Sequence, residues 1–424
     1  MRMLRRGSEG AAVELLQLAL DRAGFGPLET DGIFGPATEA ALRRFQQREG
    51  LAADGVAGPL SFGALRPWLT GYRLRRVRAG DTLWALAREY GTTVEAIETA
   101  NPGVRPEALM PGQTLVIPLG FPLVPTAIRW SSALVGFCVR GLAARYPFLR
   151  TGSIGCSVLG RPLWSLRLGA GERRVLLNAA HHANEWICTP LLLYFTEELC
   201  AAAAAGETLL GRSAAKLLSE AALFLVPALN PDGIDLVNGA LGQSEALRQA
   251  KRIAADYPRF PFPEGWKANI EGVDLNLQYP AGWEIARENK AALGIVSPAP
   301  ADYVGPRPLS ARESRALYDY TLALAPERTL SFHTQGELIY WRYRGSAPPG
   351  ARTLAEDFAR LSGYTLDDAP EASAYAGYKD WFIERFERPG FTIEAGRGIN
   401  PLPVSDFEAI CRACLPILVR AMEG

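Results

Sequence analysis

Four short apolar runs limit what this chain can fold into. Arg174 to Leu177, Ala222 to Pro227, Thr329 to Phe332 and Gly390 to Ile393 read as strands, and helical stretches such as Thr189 to Ala204 and Ser310 to Leu324 separate them. Buried strands that alternate with helices imply an α/β fold: a mixed, largely parallel sheet with helices on both faces. Ligands of such sheets collect beyond the strand ends. Each of the four runs stops where a chemically capable residue begins.

The sheet needs only part of the chain. At 424 residues the sequence exceeds one ordinary domain. Its 48% apolar and 21% charged content is that of a chain with real cores. With 45 basic and 45 acidic side chains, net charge leaves no footprint for nucleic acid or an anionic membrane. No run of about 18 uninterrupted apolar residues occurs, so no membrane span is expected. The first helical stretch carries Glu14 and Asp21 on an amphipathic pattern instead of an apolar signal core, so synthesis without a Sec signal is expected. Six scattered cysteines are too few for a disulfide scaffold, and Cys411-x-x-Cys414 reads as buried small residues on a C-terminal helix.

The N-terminal part is built differently. Ala11 to Ala23 is an amphipathic helix, and Asp31-Gly32-Ile33-Phe34-Gly35-Pro36 turns the chain into a second helix that buries Ala41, Leu42 and Phe45. A shorter echo, Asp54-Gly55-Val56-Ala57-Gly58-Pro59, leads into a third. The segment Asp31 to Gln46 resembles the three-helix peptidoglycan-binding domain. After it, Gly80-Asp81-Thr82-Leu83-Trp84, Gly91-Thr92-Thr93-Val94, Asn101-Pro102 and Pro111-Gly112-Gln113 punctuate a βααβ order. This resembles a LysM domain, which implies a second contact with glycan strands. Gly120, Pro122 and Pro125 break any regular element, and the expected organisation is 1–70 three-helix module, 71–120 LysM module and 121–424 catalytic domain.

Only three histidines exist, His181, His182 and His333, so any histidine chemistry must use them. His182 and Glu185 stand at i, i+3 just after a buried strand, and His333 ends another. Two histidines and a glutamate with an open position suit catalytic Zn²⁺. HExxH is absent, which excludes the thermolysin arrangement. Glu394 ends the fourth strand, followed by small residues that would leave its carboxylate open as a general base.

With Asn230-Pro231-Asp232-Gly233, Gly272-Val273-Asp274-Leu275-Asn276 and Asp380-Trp381, these motifs resemble the zinc carboxypeptidase family over most of residues 125–424. The resemblance implies His182, Glu185 and His333 as zinc ligands and Glu394 as the base. It places Asn184, Asn276 and Tyr375 at the substrate, Lys267 at the oxyanion, and Lys379 at the pocket for the residue after the cut bond. Leu277 departs from the family's Arg, which clamps a terminal carboxylate, and Asn184 stands where the family usually has Arg. GVDLNLQYP and the tract from His333 to Trp341 resemble the bacterial branch that cuts γ-D-glutamyl–diaminopimelate bonds, whose partners are peptidoglycan glycan strands and stem peptides. His181 is expected to support or pack against a ligand. Two alternatives stand beside this reading: the same chemistry on another amide, and a non-catalytic wall-binding protein. Wall-binding modules without an export signal would suit a sporulating Gram-positive bacterium.

Overall fold

The computed structural model describes residues 3–370 and 374–424. The chain divides into two compact units, residues 1–150 and 151–424.

The first unit holds α1 (Ala11–Leu20), α2 (Pro36–Arg48), α3 (Pro59–Thr70), β1 (Tyr72–Arg76), α4 (Leu83–Tyr90), α5 (Val94–Ala100), β2 (Thr114–Pro118) and α6 (Ser132–Arg145). The two Asp-Gly turns are held in the same way. Buried Gln17 donates to Asp31, to the Ile33 carbonyl and to Thr38 at 2.8, 3.1 and 3.1 Å, and accepts from Gly32 N–H at 3.0 Å. Gln46 repeats the pattern on Asp54, Val56, Ser61 and Gly55. Gly32 and Gly55 lie at φ 74° and 72°, a conformation only glycine takes without strain. The echo in the sequence is therefore an echo of one hydrogen-bonded turn.

Downstream, Thr82 and Thr93 cap α4 and α5, and Gly91 ends α4 in the left-handed region. Asn101 bridges the Ile97 carbonyl and the backbone of Val116, tying α5 to β2, which pairs antiparallel with β1. The unit ends at Arg150 because α6 packs on α3 and β2, and Arg145 donates to the Gly71 and Leu119 carbonyls.

The second unit contains β3 (Arg150–Cys156), β4 (Pro162–Leu168), β5 (Arg173–Ala179), α7 (Cys188–Ala205), β6 (Thr208–Leu209), β7 (Arg212–Ser213), α8 (Ala214–Glu220), β8 (Ala221–Val226), α9 (Pro231–Val237), α10 (Glu245–Ala255), α11 (Trp283–Ala292) and α12 (Arg312–Leu324). There follow β9 (Arg328–His333), β10 (Leu338–Tyr340), α13 (Ala351–Ser362), β11 (Thr365–Asp367), α14 (Tyr378–Phe386), β12 (Gly390–Glu394) and α15 (Phe407–Met422). Its eight-stranded sheet runs β11-β10-β12-β9-β5-β8-β4-β3. The four expected strands are its centre, β12-β9-β5-β8, and they are mutually parallel. The mixed character comes from antiparallel pairing of β10 with β12 and of β4 with β8.

Helices α12 and α14 join Leu176 and Phe224 of the sheet in one apolar cluster with Tyr279, Trp381 and Phe382. Helices α7 and α15 also pack on β5. The stretch Ala183–Ala205 is apolar enough to cross a membrane, at a mean hydropathy of 1.3, which the absence of an uninterrupted apolar run did not foretell. Its window is 72% buried, as expected of the core helix α7.

Candidate metal centre

Three neighbouring parallel strands deliver the site. The ladder places Glu394 of β12 opposite His333 of β9, and Phe332 opposite Ala179 of β5. Ala395 N–H donates to the His333 carbonyl at 2.8 Å, so the pairing continues one residue past the strands. After β5 the chain turns sharply: buried Ala180 sits at φ 56°, a strained conformation for a residue with a Cβ. The Asn-Pro-Asp-Gly turn holds it there. Asn230 N–H donates to the Ala180 carbonyl, and the Asn230 side chain donates to the carbonyls of His181 and Ala268 at 3.2 and 2.9 Å. Asp232 is fixed in turn by Ser157, Leu159 N–H and Arg161.

The turn aims His182 and Glu185 at His333. Nδ1 of His182 and Nδ1 of His333 are 3.3 Å apart, and each faces one Glu185 oxygen, at 2.9 and 2.8 Å. The three ligand atoms lie within 4.8 Å of one another. Two imidazole nitrogens converging on each other and on a carboxylate form the donor set of a zinc site with room for a further ligand. Among the described residues this is the one such His/Cys/Asp/Glu group; Cys411 and Cys414 are buried, and Cys414 packs by Tyr364.

Support comes from all sides. Nε2 of His182 lies 3.1 Å from Asp274, a carboxylate that fixes which ring nitrogen faces the centre. The sequence motif contained Asp274, but its role was not read from it. Thr334 and Asn400 hydrogen-bond to each other, and both approach Glu185. His181 does what was expected: it is buried, its Nε2 meets the Tyr279 hydroxyl at 3.1 Å, and its ring stacks on His333.

Electrostatics follow from burial and crowding. Burial disfavours the charged form of His182, but Glu185 and Asp274 outweigh it and push its pKa up to about 10. Burial alone would raise Glu185, yet His182, Lys267 and His333 hold it well below the usual carboxylate range. Asp274 is held low for the same reasons. The carboxyl of Glu394 is raised, first by loss of water and then, against the pull of His333, by Glu185. Lys267, whose Nζ is 3.4 Å from Glu185, resists burial and stays protonated under the influence of Glu185, Asp274, Glu394 and Asp302.

A cleft of about 320 Å³ opens over this centre. His182, Glu185, Lys267, Asn276, Lys379 and Glu394 line it. Asn276 also accepts from Tyr378 N–H at 3.0 Å, which seats the first turn of α14. Asn184 and Tyr375 sit elsewhere. Asn184 is buried away from the lining, because its amide donates to the Glu264 carbonyl and so serves the turn. Tyr375 also lies outside the lining; it packs against Tyr343 and over Gly282, and the tyrosine of the cleft is Tyr340. Lys379 is no free cation: its Nζ bonds to Asp380 and donates to the Arg342 carbonyl at 2.8 Å.

Comparison with known proteins agrees with this geometry. The zinc carboxypeptidase profile matches residues 138–413, most of the chain. The chain belongs to the zinc carboxypeptidase family. A peptidoglycan binding domain matches residues 9–65 and a LysM domain 76–118. The chain is 43% identical, over 67% of its length and 70% of the relative's, to gamma-D-glutamyl-L-diamino acid endopeptidase 1 of Lysinibacillus sphaericus. It is 40% identical, over 65% and 73%, to the uncharacterized protein YqgT of Bacillus subtilis. Among solved structures, bovine thrombin-activatable fibrinolysis inhibitor aligns with a TM-score of 0.53 at 19% identity, covering 69% of this chain and 96% of that one. Carboxypeptidase A of Helicoverpa armigera aligns at 0.53 and 18%, covering 70% and 74%. These two share the fold. Family membership and the His-Glu-His group make this a zinc metallopeptidase, and its two N-terminal modules are those of proteins that bind peptidoglycan.

Proposed function

We propose that the protein hydrolyses the γ-D-glutamyl–meso-diaminopimelate bond of peptidoglycan stem peptides. The observation that carries the reading is the cleft itself: it opens on His182 and Glu185 of the ligand group and on Glu394, but it presents Leu277 and three lysines in place of a carboxylate-clamping arginine. A substrate held by its terminal carboxylate alone is poorly served there. The likeness to the Lysinibacillus endopeptidase supports the same bond.

His182, Glu185 and His333 would hold the metal. When bound, Zn²⁺ supplies Lewis acidity for activating water and polarising a carbonyl. Glu394 takes the proton of the attacking water and returns it to the departing amine of diaminopimelate. Its raised pKa brings it closer to the neutral range in which both transfers are feasible. Lys267, kept protonated beside the centre, offsets negative charge developing on the scissile oxygen. Asn276 positions α14. Asn184 and Tyr375 act through the turn and the wall behind the cleft.

Thr392 stands two residues before Glu394 on β12, on the same face, and lines the cleft together with Lys379 and Asp380. The departing diaminopimelate would lie on that side. The buried Lys379–Asp380 pair offers one positive and one negative group to it. Diaminopimelate ends in an ammonium and a carboxylate, so the pair matches both. The same bond occurs in wall peptidoglycan, in spore peptidoglycan and in released muropeptides, and sporulation is one setting for the enzyme.

The test is mass spectrometry of L-Ala-γ-D-Glu-meso-diaminopimelate after incubation with zinc-loaded protein. Release of free diaminopimelate, abolished by a zinc chelator, is the expected result. An uncut tripeptide in the presence of bound zinc would overturn the assignment of this bond.

A further inference from the structure

A second concavity, of about 420 Å³, lies in the first unit. Gly63, Arg66, Pro67 and Thr70 of α3 form one wall, Tyr72, Arg73 and Leu74 of β1 the other, and Tyr90 at the end of α4 closes it. The peptidoglycan binding domain stops at residue 65 and the LysM domain begins at 76, so most of this lining belongs to neither.

The lining is unusual in its charge. Arg66 and Arg73 have no carboxylate within ion-pair distance among the described residues, although nearby Arg75 pairs with Asp81 at 3.3 Å. Arg73 lies over the Trp68 ring, 5.3 Å from its centre. Behind the wall the guanidinium of Arg140 is held below its ordinary pKa, by burial first and by Arg66 second, a sign of local positive charge. Residues 1–150 carry eighteen arginines, no lysine and thirteen acids, so the unit has an excess of cations. Leu74, next to Arg73 on β1, is 67% exposed, and Tyr72 and Tyr90 offer half-buried ring surface.

We infer that this groove binds the acidic stem peptide of peptidoglycan, its carboxylates on Arg66 and Arg73 and its aliphatic parts on Tyr72, Leu74 and Tyr90. An acid partner is what two unpaired guanidiniums lack, and arginine engages carboxylates bidentately. Where a stem peptide is attached the lactyl carboxyl of the glycan is an amide, so the backbone there is neutral and cannot supply that partner, whereas each stem peptide carries several carboxylates. The groove thus complements a sugar-reading module with a peptide-reading one. This inference does not rest on the peptidase reading, because it concerns binding alone.

Isothermal titration on the full chain carrying Glu394→Gln, which keeps the ligand intact, tests it. The ligands are a disaccharide-tripeptide, the same ligand with its carboxylates amidated, a neutral N-acetylglucosamine oligomer and poly(glycerol phosphate). Arg66→Ala/Arg73→Ala is expected to weaken the acidic disaccharide-tripeptide roughly tenfold or more and to leave the neutral oligomer unchanged. Leu74→Asp, at an exposed position, should weaken the same ligand without touching either arginine. Unchanged binding in both variants overturns the proposal, as does equal binding of the amidated ligand. Arginine-dependent binding of poly(glycerol phosphate) alone would overturn the stem-peptide assignment in favour of a phosphate polymer.

Discussion

In the cleft of residues 151–424 every lysine faces a carboxylate: Lys267 faces Glu185, Lys290 faces Asp302 and Lys379 faces Asp380. In the groove of the first unit Arg66 and Arg73 face none among the described residues. The difference follows from solvent. A buried charge without a partner costs several kcal/mol, on the order of the stability of a domain, so an enclosed site must satisfy its charges internally. An exposed guanidinium keeps its water and can wait for an acid that arrives with the ligand. A cleft whose charges are already paired is suited to moving a proton or turning a scissile bond; a groove with unpaired ones is suited to holding.

The comparison predicts a graded series. Glu394→Gln should lower kcat/KM on the tripeptide by roughly 10²–10⁴-fold while zinc content stays unchanged. A variant of near-normal activity would remove Glu394 from the chemistry. Asp274→Asn breaks the contact to His182 and should cost about 10–100-fold in zinc affinity, read by competition with a chelator. Lys379→Glu leaves two like charges side by side, and kcat/KM for the diaminopimelate tripeptide should fall roughly tenfold relative to its lysine counterpart. Equal values for the two substrates would end the role of the Lys379–Asp380 pair. Raising salt from about 0.05 to 0.3 M should weaken binding at the exposed groove severalfold and change tripeptide turnover less, because screening acts on solvated charges first.

The smallest effect on rate, none, is expected from Glu313→Gln, which instead probes stability. Glu313 accepts from Val158 N–H and Asn269 and is fully buried, and burial pushes it up to about 7 from 4.5. Between those pH values the folded chain holds the proton more tightly than the unfolded one. Stability therefore falls as pH rises from 4.5 to 7, by roughly 3 kcal/mol in all. Denaturant melts of the Gln variant should lose that slope.

What could be read in advance depended on whether one residue type carries the chemistry. Metal ligation demands histidine and carboxylate, and with three histidines in the chain His182 and His333 had few competitors. Glu394 was legible because a polar residue ends an apolar strand. The partners of these residues were not. Asp274 lies 92 residues from His182, and nothing in either segment announces that they touch. Lys379 looked like a lone cation although its partner Asp380 is the next residue; its other contact, the Arg342 carbonyl, lies 37 residues away and leaves no mark in the sequence. Tyr375 and Tyr340 are both tyrosines near an edge, and only the packing under Gly282 decides which one faces the cleft. Asn184 stands beside a ligand in sequence, yet its amide is taken by Glu264 in space.

The register that sets Glu394 opposite His333 carries a consequence for how this enzyme can change over time. One residue inserted into β12 would turn Glu394 to the far side of the sheet, and one inserted into β9 would do the same to His333. The same insertion in a loop beyond the strand ends would leave both untouched. New substrates for such a scaffold must therefore arise through lengthened or exchanged loops and added modules, while the five residues of β12 and the six of β9 keep their count.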